Sequence, residues 1–474
     1  MDTKFNFESE SIKALQDVNL QEALINTTNR FRAARKITVS ESKNWEELRQ
    51  VAHDIKEYTI NNLYNYLLLL ENNVLKAGGH VHWAKDSDEA CEIINQIARK
   101  NQVKRIVKSK SMATEEIHLN KSLESEGYRV VETDLGEYIL QISGDKPSHI
   151  IAPAIHKRKV DISRLFSEKF GVPEYDDPRE LTNIARERLR KEFLGADMGI
   201  SGVNLAVAET GTIAIVENEG NARLTTTIPK IHVALMGIEK IIPSFKHLGL
   251  FLMLLIRSAT GQRISTYVSL ITGPRKKGET DGPREFHLVL LDNGRTKILS
   301  NPHTRESLYC LRCGACLNIC PVYRKVGGHS YGWVYSGPIG AIINPQLQGI
   351  DKYPELPFAS SLCGACKEVC PVKIDFPKVL LDLRKQVVTK KNEEIKGVGV
   401  LEKLSFIIWK YVNLSPNLYK SLHIISFYVQ KPFISGTNKI TNLPFVFSRW
   451  TKSRDLNPIP KKSFRSIWKD NYDA

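Results

Sequence analysis

Apolar residues recur every three or four positions from Trp45 to Val74, which is the spacing of one face of an α-helix. The run "AGG" at 77–79 is typical of a helix end. The pattern therefore predicts an N-terminal helical region over residues 1–69, with its last helix continuing to this stop.

After residue 79 the pattern changes to short apolar runs that alternate with amphipathic segments. The runs "HVHWA", "KRIVKS" and "YRVVETD" predict strands, and segments 86–100 and 115–126 between them predict helices. Strands that alternate with helices are typical of a parallel sheet covered by helices. Further strands are predicted at "SHIIAPA", "VNLAVAETGTIAIVEN" (two, with a tight turn near Gly211), "KIHVALMG", "STYVSLITG" and "EFHLVLLD", and helices at 180–194 and 245–258. We therefore predict an α/β domain over residues 70–298.

Residues 299–396 differ, because cysteine, proline and glycine separate short helical stretches. Residues 397–474 contain the aromatic-rich pieces "LSFIIWKYV" and "LHIISFYV". Two interpretations of these pieces stay open: packing onto the preceding domain, or a docking face for a membrane or a protein partner.

Positive charge is concentrated in the C-terminal part of the sequence. The 474 residues carry a formal net charge of +15, and residues 396–474 hold 13 Lys or Arg against 4 Asp or Glu. Such a segment suits an acidic partner, an anionic membrane surface or nucleic acid, or it is a solvated face. The N-terminus has no apolar leader, and the longest apolar run, 248–256, is too short for a membrane span. We expect a cytoplasmic protein, with a peripheral position at the inner face of the membrane as a further expectation.

Seven of the eight cysteines lie in two similar runs, "CLRCGACLNICP" from Cys310 and "SSLCGACKEVCP" from Ser360. The spacing C-x2-C-x2-C-x3-C-P is typical of two-cluster ferredoxins, in which the fourth cysteine of each run ligates the other cluster. The first predicted 4Fe-4S cluster is therefore held by Cys310, Cys313, Cys316 and Cys370. The second is held by Cys320, Cys363 and Cys366, and Ser360 stands at its fourth position.

Two other uses of these cysteines are conceivable. The pairs Cys313/Cys316 and Cys363/Cys366 could form a zinc ribbon, although this leaves three cysteines without a role. A disulfide framework does not suit a cytoplasmic chain. The eighth cysteine, Cys91, lies in the predicted helix "EACEIINQIA" and is expected to be a small buried apolar residue.

The segments "CLRCGACLNICPVYRKVGGHSYGWVYSGPIGAIINPQL" and "PFASSLCGACKEVCPVKID" resemble the lactate-utilisation iron–sulfur proteins of the LutB family. Upstream, "KSKSMATEEIHLN", "GADMGISGVNLAVAETGTIAIVENEGN" and "GPREFHLVLLDNG" resemble the LUD domain of that family. The resemblance implies a LUD domain with a ribose-5-phosphate isomerase-like sheet and helices on both faces. A small α-helical ferredoxin-type domain with two 4Fe-4S clusters follows it. Family members also lack the first cysteine of the second run.

The same resemblance implies a function and partners. The chain would carry electrons as one subunit of a system that oxidises L-lactate to pyruvate, together with LutA-like and LutC-like proteins and a respiratory acceptor. It would be an electron-transfer component rather than a stand-alone enzyme. No residue is assigned as catalytic, and no further cofactor is expected.

The alternative function is a self-contained lactate or 2-hydroxy-acid dehydrogenase with its substrate in the LUD domain. Strand ends and turns of α/β sheets commonly bind ligands, and here they carry Glu209, Thr210, Glu217, Asn221 and Arg223, while "KSKSMATEE" is a possible anion site. Turn formation and helix capping explain the same residues. Nucleic-acid binding is not expected, because no predicted helix presents a dense Lys/Arg face.

Overall fold

The computed structural model describes residues 5–394, 400–452 and 454–472. They belong to two compact units, residues 1–387 and 388–474. The first unit holds the α/β region together with both cysteine runs. Throughout the described residues, every helix is too short or too polar to span a bilayer.

Four helices form the N-terminal region: α1 (Phe7–Gln16), α2 (Val18–Ser40), α3 (Trp45–Asn61) and α4 (Leu63–Lys76). The side chains of Asn6 and Asp17 accept hydrogen bonds from backbone N–H groups in the first turns of α1 and α2. These bonds satisfy amides that a helix start leaves unpaired. The predicted helical stretch is thus two helices that meet at Asn62, and the second ends just before "AGG" as predicted.

Two sheets form the α/β region. Their strands are β1 (His80–Ala84), β2 (Arg105–Lys108), β3 (Arg129–Glu132), β4 (Met198–Gly202), β5 (Leu205–Val207), β6 (Thr212–Glu217), β7 (Ile231–Gly237), β8 (Ile241–Ile242), β9 (Tyr267–Ile271) and β10 (Glu285–Leu291). The main sheet has the order β1-β10-β7-β4-β2-β3, and all its strand pairs are parallel. The other four strands alternate along the chain with strands of the main sheet, and they form a second sheet of order β8-β5-β6-β9. Its hairpin between β5 and β6 turns at Gly211, whose φ is 70°.

Helices flank the main sheet, which confirms the predicted α/β fold. They are α5 (Ser87–Lys100), α6 (Met112–Glu116), α7 (Leu119–Ser125), α8 (Leu135–Ser143), α9 (Lys159–Phe170), α10 (Pro178–Leu194), α11 (Asn221–Thr227) and α12 (Phe245–Ala259). Every residue of β7 is buried, as expected for a central strand of a parallel sheet covered on both faces.

Two predicted elements differ from the structure. The helix predicted over 115–126 is interrupted at His118, whose φ of 52° is left-handed, so α6 and α7 are separate. The predicted strand "SHIIAPA" is irregular instead. The backbone carbonyl of Ser148 accepts from the Tyr323 hydroxyl at 2.8 Å, and its side-chain oxygen accepts from the Gly328 N–H at 3.1 Å. The cysteine-rich region thus supplies hydrogen bonds that a neighbouring strand would otherwise supply.

The cysteine-rich region consists of short helices on the same hydrophobic core. They are α13 (Arg295–Ser300), α14 (Ala315–Ile319), α15 (Tyr323–Val326), α16 (Gly337–Leu347), α17 (Ala365–Val369) and α18 (Phe376–Glu394). Leu67 of α4, Leu288 of β10 and Cys313 belong to one continuous buried cluster. The N-terminal helices also hold the cysteine runs by hydrogen bonds, because Arg49 Nε of α3 donates to the Cys370 carbonyl at 2.9 Å.

The described residues of the second unit form four further helices: α19 (Val400–Leu414), α20 (Pro416–Val429), α21 (Ser448–Thr451) and α22 (Phe464–Tyr472). The aromatic-rich pieces predicted from the sequence fall on α19 and α20. Many of their large apolar side chains are exposed, including Phe406 and Trp409.

Candidate iron–sulfur centre and adjoining cavity

The first cysteine run, residues 310–321, is called loop one here. Arg312 and Gly314 have left-handed φ angles of 60° and 75°, which bend the chain sharply before α14 begins. The backbone N–H of Arg312 donates to the Cys310 sulfur at 3.3 Å. A Cβ at Gly314 would lie 3.2 Å from the His149 ring, so a glycine suits both the turn and the close packing.

The second run, residues 360–371, is called loop two. It repeats these turns, since Leu362 and Gly364 have φ angles of 55° and 83° before α17 begins. The backbone N–H of Leu362 donates to the Ser360 hydroxyl oxygen at 3.2 Å. Ser360 therefore occupies in loop two the position that Cys310 occupies in loop one.

The two loops bring their cysteines into two groups. Cys310, Cys313, Cys316 and Cys370 all line one small cavity. The thiol of Cys366 is influenced electrostatically by Cys320 and Cys363. The first set thus lines one cavity, as the exchange of fourth cysteines predicts, and the members of the second set are close enough to interact electrostatically. Ligation of a cluster by each residue remains a prediction.

Backbone donors and burial make the cysteine groups suitable for iron. The N–H of Ile374 donates to the Cys370 sulfur at 3.4 Å, and that of Tyr323 to the Cys320 sulfur at 3.5 Å. Such donors stabilise the negative charge on iron-bound sulfur and tune reduction potentials. An enclosed cavity lined by four thiols, with N–H donors to sulfur, fits an iron–sulfur cluster.

The cysteines differ in how easily they lose a proton. Burial raises the pKa of Cys313 to about 11, and that of Cys366 and Cys370 to about 12. The pKa of Cys363 is lowered, first because the Ala365 backbone N–H donates to its sulfur. The thiolate is the form that binds metal, so iron binding must release protons from the buried thiols, these three among them. Cys363 loses its proton more readily than they do.

Exposure also separates the two loops. All residues from Leu311 to Asn318 of loop one are buried, whereas Cys363 of loop two is exposed. Arg384 holds the start of loop two, because its Nε donates to the Pro357 carbonyl at 2.8 Å and its Nη2 to the Ser360 carbonyl at 3.0 Å. Loop one is therefore enclosed by protein, and loop two faces solvent.

A second, larger cavity lies at the carboxyl ends of the parallel strands β2, β4 and β7. It has a volume of about 270 Å³, and Glu217 and Asn221, two of the sequence-predicted residues, line it. Ser109, Lys110 and Ser111 of "KSKSMATEE" line it as well. The sequence thus predicted part of this cavity correctly from strand ends and turns.

The other three turn residues do not line this cavity. The Glu209 carboxylate accepts from the Phe245 N–H at 2.9 Å, at the start of α12. The Thr210 hydroxyl donates to Thr212 at 2.8 Å, and the Arg223 guanidinium lies 5.9 Å from the Tyr267 ring centre. Capping and turn contacts explain these residues.

Sequence reasoning missed several lining residues that carry charge or a hydroxyl group. Those at one end of the cavity are Glu239, Lys240, Arg295, Arg312 and Tyr335. The first two offered a signal, because a charged pair interrupts the apolar run "HVALMGIEKII". The others come from distant segments, and only the fold brings them together.

Cys91 lies apart from both cysteine groups. It is half-buried rather than fully buried on α5, packs against the core that includes Ile94 and Leu119, and its thiol donates to the Ile117 carbonyl at 3.5 Å. Its packing is mainly apolar, with Ser122 and Asp88 as polar neighbours, so the expected full burial is only partly met.

Comparison with known proteins shows that two parts of this chain match known domain families. Residues 68–291 match the LUD domain, and residues 306–374 match the 4Fe-4S dicluster domain. A dicluster domain holds two 4Fe-4S clusters, which are therefore the cofactors of this chain, in place of the zinc or disulfide alternatives.

Named proteins are similar to this chain over nearly all of its length. The chain is 47% identical to lactate utilization protein B of Bacillus licheniformis, over 98% of this chain and 96% of that protein. It is 45% identical to lactate utilization protein B of Shouchella clausii, over 96% and 95% of the two chains. A solved structure of a DUF162 family protein from Deinococcus radiodurans matches 48% of this chain and 98% of its own, at 13% identity and a TM-score of 0.28.

Proposed function

This chain belongs to the lactate utilization protein B family, and on that premise we propose that it carries electrons released in the oxidation of L-lactate to pyruvate. The observation that supports this most is the convergence of Cys310, Cys313, Cys316 and Cys370 on one enclosed cavity. In this proposal the LUD domain spans residues 70–298, and the ferredoxin-type domain spans residues 299–396.

Two sets of side chains would hold the cofactors. Loop one and Cys370 hold one cluster, and Cys320 with Cys363 and Cys366 of loop two hold the other. A bound 4Fe-4S cluster supplies one-electron transfer. Oxidation of lactate to pyruvate releases two electrons and two protons, so two cluster sites can receive the electrons singly.

The two cluster sites differ in how far the surrounding residues shield them from solvent. Buried residues exclude water from the first site, and the N–H groups of Arg312 and Ile374 stabilise negative charge on its sulfurs. The exposed Cys363 leaves the second site open to a partner. Electrons therefore leave or enter most directly through loop two.

The partners in this proposal are LutA-like and LutC-like subunits, with a respiratory acceptor at the membrane surface. The second unit supports a docking role, because exposed aromatic side chains such as Phe406 and Trp409 lie in a segment with excess positive charge. Basic amphipathic surfaces of this kind bind anionic membranes or acidic protein faces.

A self-contained 2-hydroxy-acid dehydrogenase is the second candidate function. The observation that favours it is that the cavity of the LUD domain reaches Arg312, which lies next to Cys310. The two candidates differ in whether the isolated chain oxidises lactate.

Anaerobic dye reduction distinguishes these functions. Purified chain with its clusters intact is given L-lactate and an electron-accepting dye, alone and then with the partner subunits. We expect reduction with the partners only. Full activity of the isolated chain would reject the electron-transfer proposal in favour of the dehydrogenase function. No activity in any combination would refute both proposals.

A further inference from the structure

The cavity of the LUD domain lies where ligands of parallel α/β sheets bind, beyond the carboxyl ends of the strands. Gly202 ends β4 and Gly237 ends β7, and both line the cavity. At Gly237 a Cβ would lie 2.2 Å from the Glu239 carboxylate. The absence of a side chain there leaves room for a charged cluster at the inner end of the cavity.

That cluster is an arrangement of buried ion pairs. Arg295 donates from Nη1 to Glu116 at 2.8 Å and from Nε to Glu239 at 2.5 Å. Glu116 also accepts from the Tyr335 hydroxyl at 2.7 Å and from Asn293 at 2.7 Å. Arg295 is thus the main cationic partner of both carboxylates, with two hydrogen bonds to Glu116 and one to Glu239.

Arg312 is the cation that this arrangement leaves short of partners. Its side chain is 6% exposed, and its contact with Glu239 is long, at 3.5 Å. Its Nε and Nη1 atoms are buried without a hydrogen-bond partner. The guanidinium lies 4.6 Å from the Tyr335 ring centre and is influenced electrostatically by Cys310, while Nε and Nη1 remain available to an acceptor in the cavity. Buried guanidinium donors without a partner are costly unless an acceptor binds them.

The charges at this end do not balance. Lys240 lines the same cavity, where Arg312 and Arg295 repel its ammonium and Glu239 and Cys310 attract it. Four cations, Lys56, Lys240, Arg295 and Arg312, face two carboxylates, Glu116 and Glu239. The Cys310 sulfur, which acts electrostatically on Lys56, Lys240 and Arg312, supplies a third negative charge when it is an iron-bound thiolate. A single negative charge on a ligand would then complete the balance.

The outer end of the cavity has the opposite character. Asp134, Glu217, Glu219 and Asn221 line it, and Lys110, which also lines the cavity, acts electrostatically on Glu219. Carboxylates and amides of this kind accept hydrogen bonds from hydroxyl groups. The cavity therefore offers a positive inner end and an acceptor-rich outer end.

We propose that this cavity binds a small organic carboxylate, with the carboxylate group on Arg312 and Lys240 and with any hydroxyl group directed to the acidic outer end. A monoanion matches the single excess charge better than a phosphate monoester, which carries about −1.5 to −2 charges at neutral pH. Arg312 joins this site to loop one, because its side chain lines the cavity and its N–H donates to Cys310. The bound carboxylate would therefore contact Arg312, which directly precedes the predicted cluster ligand Cys313.

The choice of L-lactate and pyruvate as probes rests on the proposed function, whereas the site itself rests on the charges. The rival explanation is that Lys240 and Arg312 balance the negative charge of the iron-bound thiolates. The two explanations differ in what happens when one cation is removed.

The test measures ligand binding by isothermal titration calorimetry on the cluster-loaded chain. The probes are L-lactate, D-lactate, pyruvate, acetate and inorganic phosphate, and the variants are Lys240→Met, Lys240→Arg and the exposed control Lys246→Met. We expect Lys240→Met to weaken carboxylate binding by about 10- to 100-fold, as for a lost charged hydrogen bond. Lys240→Arg should retain most of the binding, and Lys246→Met should match the parent protein.

Stability and iron content provide the second readout. Without ligand, Lys240→Met should melt no lower than the parent protein, because it removes a repelling cation, and its iron content should be unchanged. Loss of iron in this variant without any carboxylate binding in the parent would support the rival explanation and overturn the proposal. Equal binding of phosphate and carboxylates would overturn the carboxylate assignment.

Binding and electron-transfer measurements together distinguish a failure of the carboxylate site from a failure of the proposed function. If the chain transfers electrons with its partners but binds none of the carboxylates, the site is refuted and the function stands. If it binds a carboxylate but never accepts electrons from lactate oxidation, the function is refuted and the site stands.

Discussion

Loop one and loop two have the same backbone turns in different surroundings. Arg312 and Leu362 are both left-handed, and the N–H of each donates to the side chain two residues earlier. In loop one that acceptor is the sulfur of Cys310, and in loop two it is the oxygen of Ser360. The repeat therefore preserves the shape of a cluster loop even where a ligand atom has changed.

The surroundings of the loops suggest different tasks. Loop one is enclosed and lies against the charged end of the LUD cavity, whereas the exposed Cys363 lies in loop two. A serine hydroxyl is far harder to deprotonate than a thiol, whose ordinary pKa is about 8.5. We expect a stable cluster in the first site and, in the second, a cluster with one weakly held iron.

The largest effect is expected from Cys313→Ala. This change removes a ligand from the enclosed site, so it should abolish lactate-dependent electron transfer with the partner subunits and lower the iron content. Cys91→Ala is the matched control, because its thiol lies in apolar packing on α5, and both values should stay at those of the parent protein. Loss of a cluster in the Cys91 variant would contradict the grouping of the cysteines.

A smaller effect is expected from Cys363→Ala. It should remove the second cluster while the first remains, so that iron falls from roughly seven or eight atoms per chain to about four. Iron analysis and visible absorption of anaerobic protein measure this. If both clusters were lost together, the two loops would form one cooperative site rather than two separable ones.

The smallest effect is expected from Arg384→Met, which removes the hydrogen bonds to the Pro357 and Ser360 carbonyls. Loop two should loosen, and iron should be lost to a chelator about tenfold faster, as when outer partners of a metal site are removed. Lys385→Met, at an exposed neighbouring position, serves as the control. An equal rate in the two variants would show that this anchor does not support the second site.

The sequence predicted the parallel sheet and the cysteine grouping, because strand pattern and ligand spacing are local properties. It failed at "SHIIAPA", where hydrogen bonds from Tyr323 and Gly328 replace a sheet partner. It also missed the charged end of the cavity, since Arg312 meets Glu239 across 73 residues of chain. Such contacts depend on how the cysteine-rich region packs on the sheet, which residue pattern alone does not specify.

EPR spectroscopy of the air-oxidised native protein and of the air-oxidised Ser360→Cys variant tests most directly whether Ser360 faces the weakly held iron of the second cluster, the iron without a cysteine ligand. The native protein should show the signal of an oxidised three-iron cluster, because the weakly held iron is lost. The variant should lose that signal, since a fourth thiolate would retain the iron. An unchanged three-iron signal in the variant, or none in the native protein, would contradict the equivalence of Ser360 and Cys310.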